Sequence, residues 1–104
     1  MDKYKITFST KAIKDAKQIV RYIKNNLKEP IIAEKYVDLF IEEIGKLEFL
    51  PKRYPIIEDN KIRLYNIRRL TIKNYSIFYR IKEENKIVNI ERILYSASNW
   101  KEIL

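Results

Sequence analysis

The sequence has no cysteine and no histidine, and only one glycine and three prolines in 104 residues. Without cysteine there is no disulfide framework and no thiol chemistry. Without either residue, the usual zinc sites and the Ser-His-Asp and Cys-His catalytic systems are excluded. Acid–base chemistry is left to Glu, Asp, Lys, Tyr or water. The adjacent carboxylates Glu58-Asp59 and Glu83-Glu84 read as turn residues, so no metal and no cofactor are expected. No apolar run approaches the length of a membrane span, and the opening MDKYKITFS lacks the hydrophobic stretch of a signal peptide. Cytoplasmic residence, away from any membrane, is the expectation.

What is present is charge and β-branched or aromatic bulk. Charged residues make up 35% and hydrophobic ones 46%, which suits one globular domain over residues 1–104. The net charge is +8 and unevenly spread. Residues 1–50 hold ten basic and eight acidic side chains, a net of +2, whereas residues 51–104 hold twelve and six, a net of +6. The second half is therefore the part expected to attract nucleic acid or an acidic protein.

Residues 4–9 (YKITFS) alternate and predict a short strand. Ser9 or Thr10 can cap the helix that follows, by accepting from a free amide of its first turn. In that helix Ile13, Ala16, Val20, Ile23 and Leu27 recur at spacings of three and four and predict one apolar stripe. Glu29-Pro30 makes the break. A second helix is predicted from about Ile31 to Leu50, with Ala33, Tyr36 or Val37, Phe40, Ile44 and Leu47 inward, until Pro51 stops it. So short a link predicts an antiparallel helix hairpin. Gly45, inside the second helix, either permits close helix approach or is a tolerated surface glycine. Residues 51–63 (PKRYPIIEDNKIR) have no clear period and read as a stiff basic loop.

Residues 63–95 then hold three alternating runs separated only by Lys73-Asn74 and by Glu83 to Lys86. Such breaks are too short for crossover helices, so the strands form an antiparallel meander. Tyr75, Ile77, Tyr79 and Ile81 share one face and read as core. Arg80 shares the other with Phe78 and Lys82. Strict alternation puts Arg92 with Val88, Ile90 and Leu94, and Glu91 opposite. The fold class is α+β: an N-terminal strand and a helix hairpin packed on a twisted antiparallel sheet of about four strands. In the tail, Trp100, Ile103 and Leu104 fit a short amphipathic turn, with Trp100 packed on the domain or a partner.

The order strand, helix hairpin, basic loop, meander and tail resembles the RelE/ParE family of bacterial toxins. Arg68-Arg69-Leu70, then residues 74–81 (NYSIFYRI), then residues 90–95 (IERILY) leading into Asn99-Trp100 carry the likeness, which spans nearly the whole chain. The resemblance implies the toxin of a type II toxin–antitoxin module, neutralised by a cognate antitoxin protein. It leaves three mechanisms: ParE-like inhibition of DNA gyrase, RelE-like metal-free cleavage of mRNA on the ribosome, or a degenerate member that binds antitoxin without toxicity.

Cleavage through the 2′-hydroxyl needs a base, cations for the phosphorane charge and an acid for the leaving oxygen. Arg68, Arg80, Arg92 and Tyr95 are the candidates for those tasks, Glu91 is a possible base, and Lys52, Arg53 and Arg69 are candidates for holding nucleic acid. Arg92 has an equally simple reading as a structural arginine paired with a carboxylate or carbonyl. Two departures count against cleavage. Ser76 stands where many relatives have arginine, and Ser96-Ala97-Ser98-Asn99 stands where RNA-cleaving relatives usually have a basic cluster. With the long helix hairpin, they tilt the resemblance toward gyrase.

Overall fold

The computed structural model describes residues 3–26 and 30–104. Strand β1 (Lys5–Phe8) leads into helix α1 (Thr10–Asn26), followed by α2 (Pro30–Gly45). The meander comprises β2 (Arg68–Ile72), β3 (Tyr75–Lys82) and β4 (Ile87–Tyr95), and a last turn of helix, α3 (Trp100–Ile103), closes the chain. The sheet order is β1-β4-β3-β2. β2, β3 and β4 pair antiparallel as expected, but β1 joins β4 in parallel, with Ile6 opposite Val88, so the sheet is mixed. Alternation reports which residues share a face and carries no information on strand direction. Direction here follows from the long connection through both helices and two strands.

The helices cover one face of the sheet. Leu70, Ile72, Ile77, Tyr79, Val88, Ile90 and Ile93 meet Ala12, Phe40, Ile44 and Leu47 there. Tyr75 adds edge-to-face contacts with Tyr36 and Phe40 at ring separations of 6.2 and 5.8 Å. Tyr79 is fully buried, its hydroxyl donates to the Pro51 carbonyl at 2.6 Å, and burial pushes its pKa up to about 12. A smaller cluster of Ile62, Ile67 and Phe78 lies on the other face, sealed by Ile57, Leu94, Trp100 and Leu104. The rings of Phe78 and Trp100 are 5.3 Å apart, so the tail packs on the domain.

Three expectations shift. The stripe on α1 is turned: Ala12, Asp15 and Ile23 are buried while Ile13 is exposed, and Leu27 and Glu29 lie outside the described residues. Helix α2 ends at Gly45, earlier than Leu50, and a 3₁₀ turn over Lys46–Glu48 puts Leu47 into the core. A Cβ on Gly45 would meet nothing within 4 Å, so this glycine permits no close approach. Finally, the β3–β4 register slips between Phe78 and Tyr79: Phe78 faces Arg92 but Tyr79 faces Ile90, which leaves Glu91 as an extra residue in a β-bulge. Val88 and Ile90 thus point to the helices, whereas Arg92 and Leu94 point away.

Two side chains of α1 and its cap fasten the helix to β4. Ser9 Oγ accepts from the Ala12 amide at 3.0 Å and donates to the Glu91 carbonyl at 2.7 Å. β1 pairs only as far as Ile90, so beyond that point, among the described residues, the outer edge of β4 has no strand beside it. Asp15 supplies the missing acceptor. Its carboxylate takes the Ile93 amide at 3.0 Å and the Arg92 guanidinium at 2.7 and 3.0 Å. Those bonds hold the Arg92 pKa above its ordinary value. At the opposite end, Glu83 receives Lys52 at 3.0 Å, the Tyr4 hydroxyl at 3.0 Å and Lys86 at 3.3 Å, tying the basic loop and the first strand to the β3–β4 turn.

Asp15→Ala should cost about 3 kcal/mol in urea unfolding, since it strands a largely buried guanidinium and a backbone amide. A loss below about 1 kcal/mol would rank the pair with ordinary surface ion pairs. Glu83 carries the second expectation. The bond from Lys52, then those from Tyr4 and Lys86, hold its pKa below the ordinary 4.5. Its contribution is complete above pH 4.5 and is lost as pH falls through the lowered folded value. The stability gap between the native chain and Glu83→Gln should close on acidification; a gap that stays constant from neutral to acid pH would reject this linkage.

Candidate functional site

The open face of the sheet divides at the bulge. On the β1 side of it, Arg80, Glu91 and Arg92 line a cavity of about 260 Å³, together with Lys11 at the start of α1, Tyr65 and Ile103. The bulge is what brings Glu91 and Arg92 to one place, where strict alternation would keep them on opposite faces. Both Glu91 carboxylate oxygens are engaged: Oε2 takes the Asn89 amide at 2.5 Å and Oε1 the Arg80 guanidinium at 3.5 Å. Asn89 is in turn fixed by the Thr7 hydroxyl at 2.7 Å. The result is a small mixed-charge recess in which Arg80 is half-exposed and Arg92 already satisfied by Asp15.

The other end of the open face is assembled differently. Ser76, fully buried, shares a hydrogen bond with Ser96 at 2.8 Å and accepts from Arg69 Nε at 2.9 Å. The Arg69 guanidinium also lies 4.8 Å from the centre of the Trp100 ring, a cation–π contact. The two serines therefore join β3 to the segment after β4, and the nearest cation is occupied by both a hydroxyl and an indole.

The remaining sequence candidates do not converge on either place. Arg68 faces the helix side of the sheet and donates to the carbonyls of Tyr54 at 2.6 Å and Lys52 at 3.3 Å, holding the basic loop against the strand. Arg53 folds back to the carbonyls of Leu50 and Phe49, each at 3.1 Å, and Lys46 at 3.4 Å. Lys52 is paired with Glu83. Tyr95 is half-exposed on the helix side, 5.8 Å from Tyr75 between ring centres. Of the four candidates for chemistry, only Arg80 and Arg92 share a recess. Sequence reading passed over Asp15, Asn89, Tyr65 and Lys11. Asp15 had a signal: it is the one acidic residue in an otherwise basic helix, set among alanines that face inward.

On the helix side a larger groove of about 760 Å³ opens between α1 and α2. Phe8, Val20, Phe40 and Ile41 give it apolar walls, and Lys17 and Arg21 stand along its α1 rim. This is an apolar surface with a basic edge, and it draws its cations from the first half of the chain.

Among the described residues, no group of three or more His, Cys, Asp or Glu is arranged to hold a metal ion, and no helix is long and apolar enough to cross a membrane. A comparison with curated proteins finds no match. Solved structures do match. The chromosomal ParDE toxin–antitoxin system from P. aeruginosa aligns with a TM-score of 0.72 at 22% identity, covering 91% of this chain and 98% of that one. The RelBE2 toxin–antitoxin complex from Mycobacterium tuberculosis gives 0.65 at 22% identity, covering 94% and 97%. The archaeal RelE–RelB complex from Pyrococcus horikoshii gives 0.60 at 14% identity, covering 93% and 98%. These likenesses establish the RelE/ParE α+β fold. In sequence, the family of ParE toxins of type II toxin–antitoxin systems, parDE, matches residues 6–100. With nearly its whole length matched, the chain belongs to the ParE toxin family.

Proposed function

We propose that this toxin arrests growth by inhibiting DNA gyrase, cuts no RNA itself, and is neutralised in the cytoplasm by a cognate antitoxin. The observation that carries the non-cleaving reading is the Ser76–Ser96 pair. RNA-cleaving relatives are expected to have cations at both places, and here two hydroxyls bond to each other, one of them with no exposed surface. A phosphorane needs its positive donors preorganised where charge develops, and losing one such donor costs roughly 100- to 1,000-fold in rate. Arg69, the cation nearest this pair, is turned onto Ser76 and Trp100. Arg92 is committed to Asp15, and Arg68 and Tyr95 lie across the sheet from Arg80. In the recess that does bring Glu91, Tyr65, Lys11, Arg80 and Arg92 together, both Glu91 oxygens are taken by Asn89 and Arg80, and Arg92 is taken by Asp15.

Antitoxin neutralisation is supported by the groove between α1 and α2. Its apolar walls and the cations of its α1 rim suit an amphipathic segment with acidic residues along one edge. The solved relatives from P. aeruginosa and M. tuberculosis are themselves toxin–antitoxin systems.

Purified toxin should block supercoiling by gyrase in vitro while leaving a reporter mRNA intact by primer extension in a reconstituted translation system. Codon-linked cuts that disappear in an Arg80→Ala variant would overturn this in favour of a ribosome-dependent ribonuclease. Cells that grow normally on induction, with both assays silent, would leave a protein that binds antitoxin and has no toxicity.

A further inference from the structure

The α1–α2 hairpin segregates its charge. Lys14, Lys17, Arg21 and Lys24 are all exposed along α1, where the only acidic residue, Asp15, is buried. On α2 Glu34, Asp38 and Glu42 form an exposed acidic row, four residues apart and so about 6 Å apart along the axis, with Lys35 the one exposed cation of that helix. None of these eight has an ion-pair partner among the described residues. The two rows do not meet within the molecule because the apolar groove lies between the helices. Beside the acidic row stand two large apolar side chains left in solvent, Ile31 and Ile41, 65% and 67% exposed.

We infer that the outer face of this hairpin is a self-complementary surface that pairs with a second copy of the chain. A two-fold axis parallel to the hairpin, midway between its helices, sets α1 of one copy over α2 of the other and preserves position along the helices. The positions agree. Lys14 is twelve residues before Asn26 and Glu42 twelve after Pro30; Lys17 is nine before and Asp38 eight after; Arg21 is five before and Glu34 four after. Lys14, Lys17 and Arg21 therefore each find a carboxylate near their own level across the axis, Lys24 finds none, and Lys35 stands beside Glu34 at the level of Arg21; by symmetry each contact is made twice. Ile31 and Ile41 pass from solvent into the contact, which supplies the apolar burial that exposed ion pairs alone lack. A two-fold axis perpendicular to the helices would stack α1 on α1 and α2 on α2, opposing like charges along both rows. The charge pattern selects the first arrangement.

A membrane surface fits the same cations less well. An interfacial helix presents apolar side chains below its basic ones, and on α1 the inward face is already packed on the sheet. The antitoxin proposed above takes the same α1 cations, Lys17 and Arg21, so a second copy and the antitoxin exclude one another at this surface.

The test uses the full chain alone. In sedimentation equilibrium its mass should move from 12.7 kDa toward twice that value with concentration, and salt should weaken the association. Two charge-reversed forms, Lys17→Glu with Arg21→Glu and Glu34→Lys with Asp38→Lys, should each raise the dissociation constant on the order of 100-fold, because like charges then face one another. All four positions are exposed, so circular dichroism should find both forms folded. Mixed, the two forms should associate again, since each now complements the other. A native chain that stays monomeric at every concentration overturns the proposal, and so does a mixture that stays monomeric. A native monomer that instead binds an acidic amphipathic peptide, and loses it on reversal of Lys17 and Arg21, assigns the row to a different partner. None of these readings depends on gyrase or RNA activity.

Discussion

The carboxylate of Asp15 sets how the two layers of this protein meet. It is nearly buried, and it satisfies a backbone amide of β4 and a guanidinium at once. Such a group is costly to desolvate unless every lone pair finds a donor, and here the donors come from a strand 77 and 78 residues away in sequence. The need arises from topology. β1 is four residues long and β4 nine, so a parallel partner accompanies only the first part of β4. Where that partner ends, α1 has to lie close enough for a side chain to take over. The rotation of α1 that turns Ile13 outward follows from the same demand.

Arg92 illustrates how structure and chemistry compete for one residue. An arginine on the last strand of a basic sheet reads naturally as a phosphate ligand, since its planar fork fits two oxygens. The Asp15 carboxylate presents the same two oxygens and is permanently in place. Any phosphate would have to displace it and leave a buried carboxylate with only the Ile93 amide. Arg69 and Arg68 are similarly occupied, by a hydroxyl and an indole in one case and by loop carbonyls in the other. The arginines that made the meander look like a phosphate-binding surface serve mostly as internal fasteners.

What the sequence disclosed, and what it hid, divides along physical lines. The helices, the meander, the Ser9 cap and the inward faces of Tyr75 and Tyr79 were legible because they rest on local period and on one capping hydroxyl. The parallel placement of β1 was not, since direction leaves no mark on alternation. The bulge at Glu91 was not legible either: one inserted residue leaves β-branched composition unchanged and reverses the face of everything after it. That single step moved Arg92 away from Val88 and Ile90 and brought Glu91 beside it. The serines were visible as departures from a family pattern, but their bond to each other depends on Ser96 reaching back over β3, which no local rule supplies.

The uneven charge also changes meaning once folded. Counted along the chain, the basic excess belongs to residues 51–104, yet Lys52, Arg53, Arg68, Arg69 and Arg92 there are engaged by protein groups. The helical half, nearly balanced by count, carries a basic row outward on α1 and an acidic row, interrupted by Lys35, outward on α2, and among the described residues these rows form no ion pairs. Net charge governs long-range attraction, but docking is decided by which charges remain uncompensated and how they are spaced. A sheet whose arginines are mostly engaged internally, below a hairpin with exposed rows of opposite charge, supports the proposed contact with proteins over the clamping of a phosphate chain.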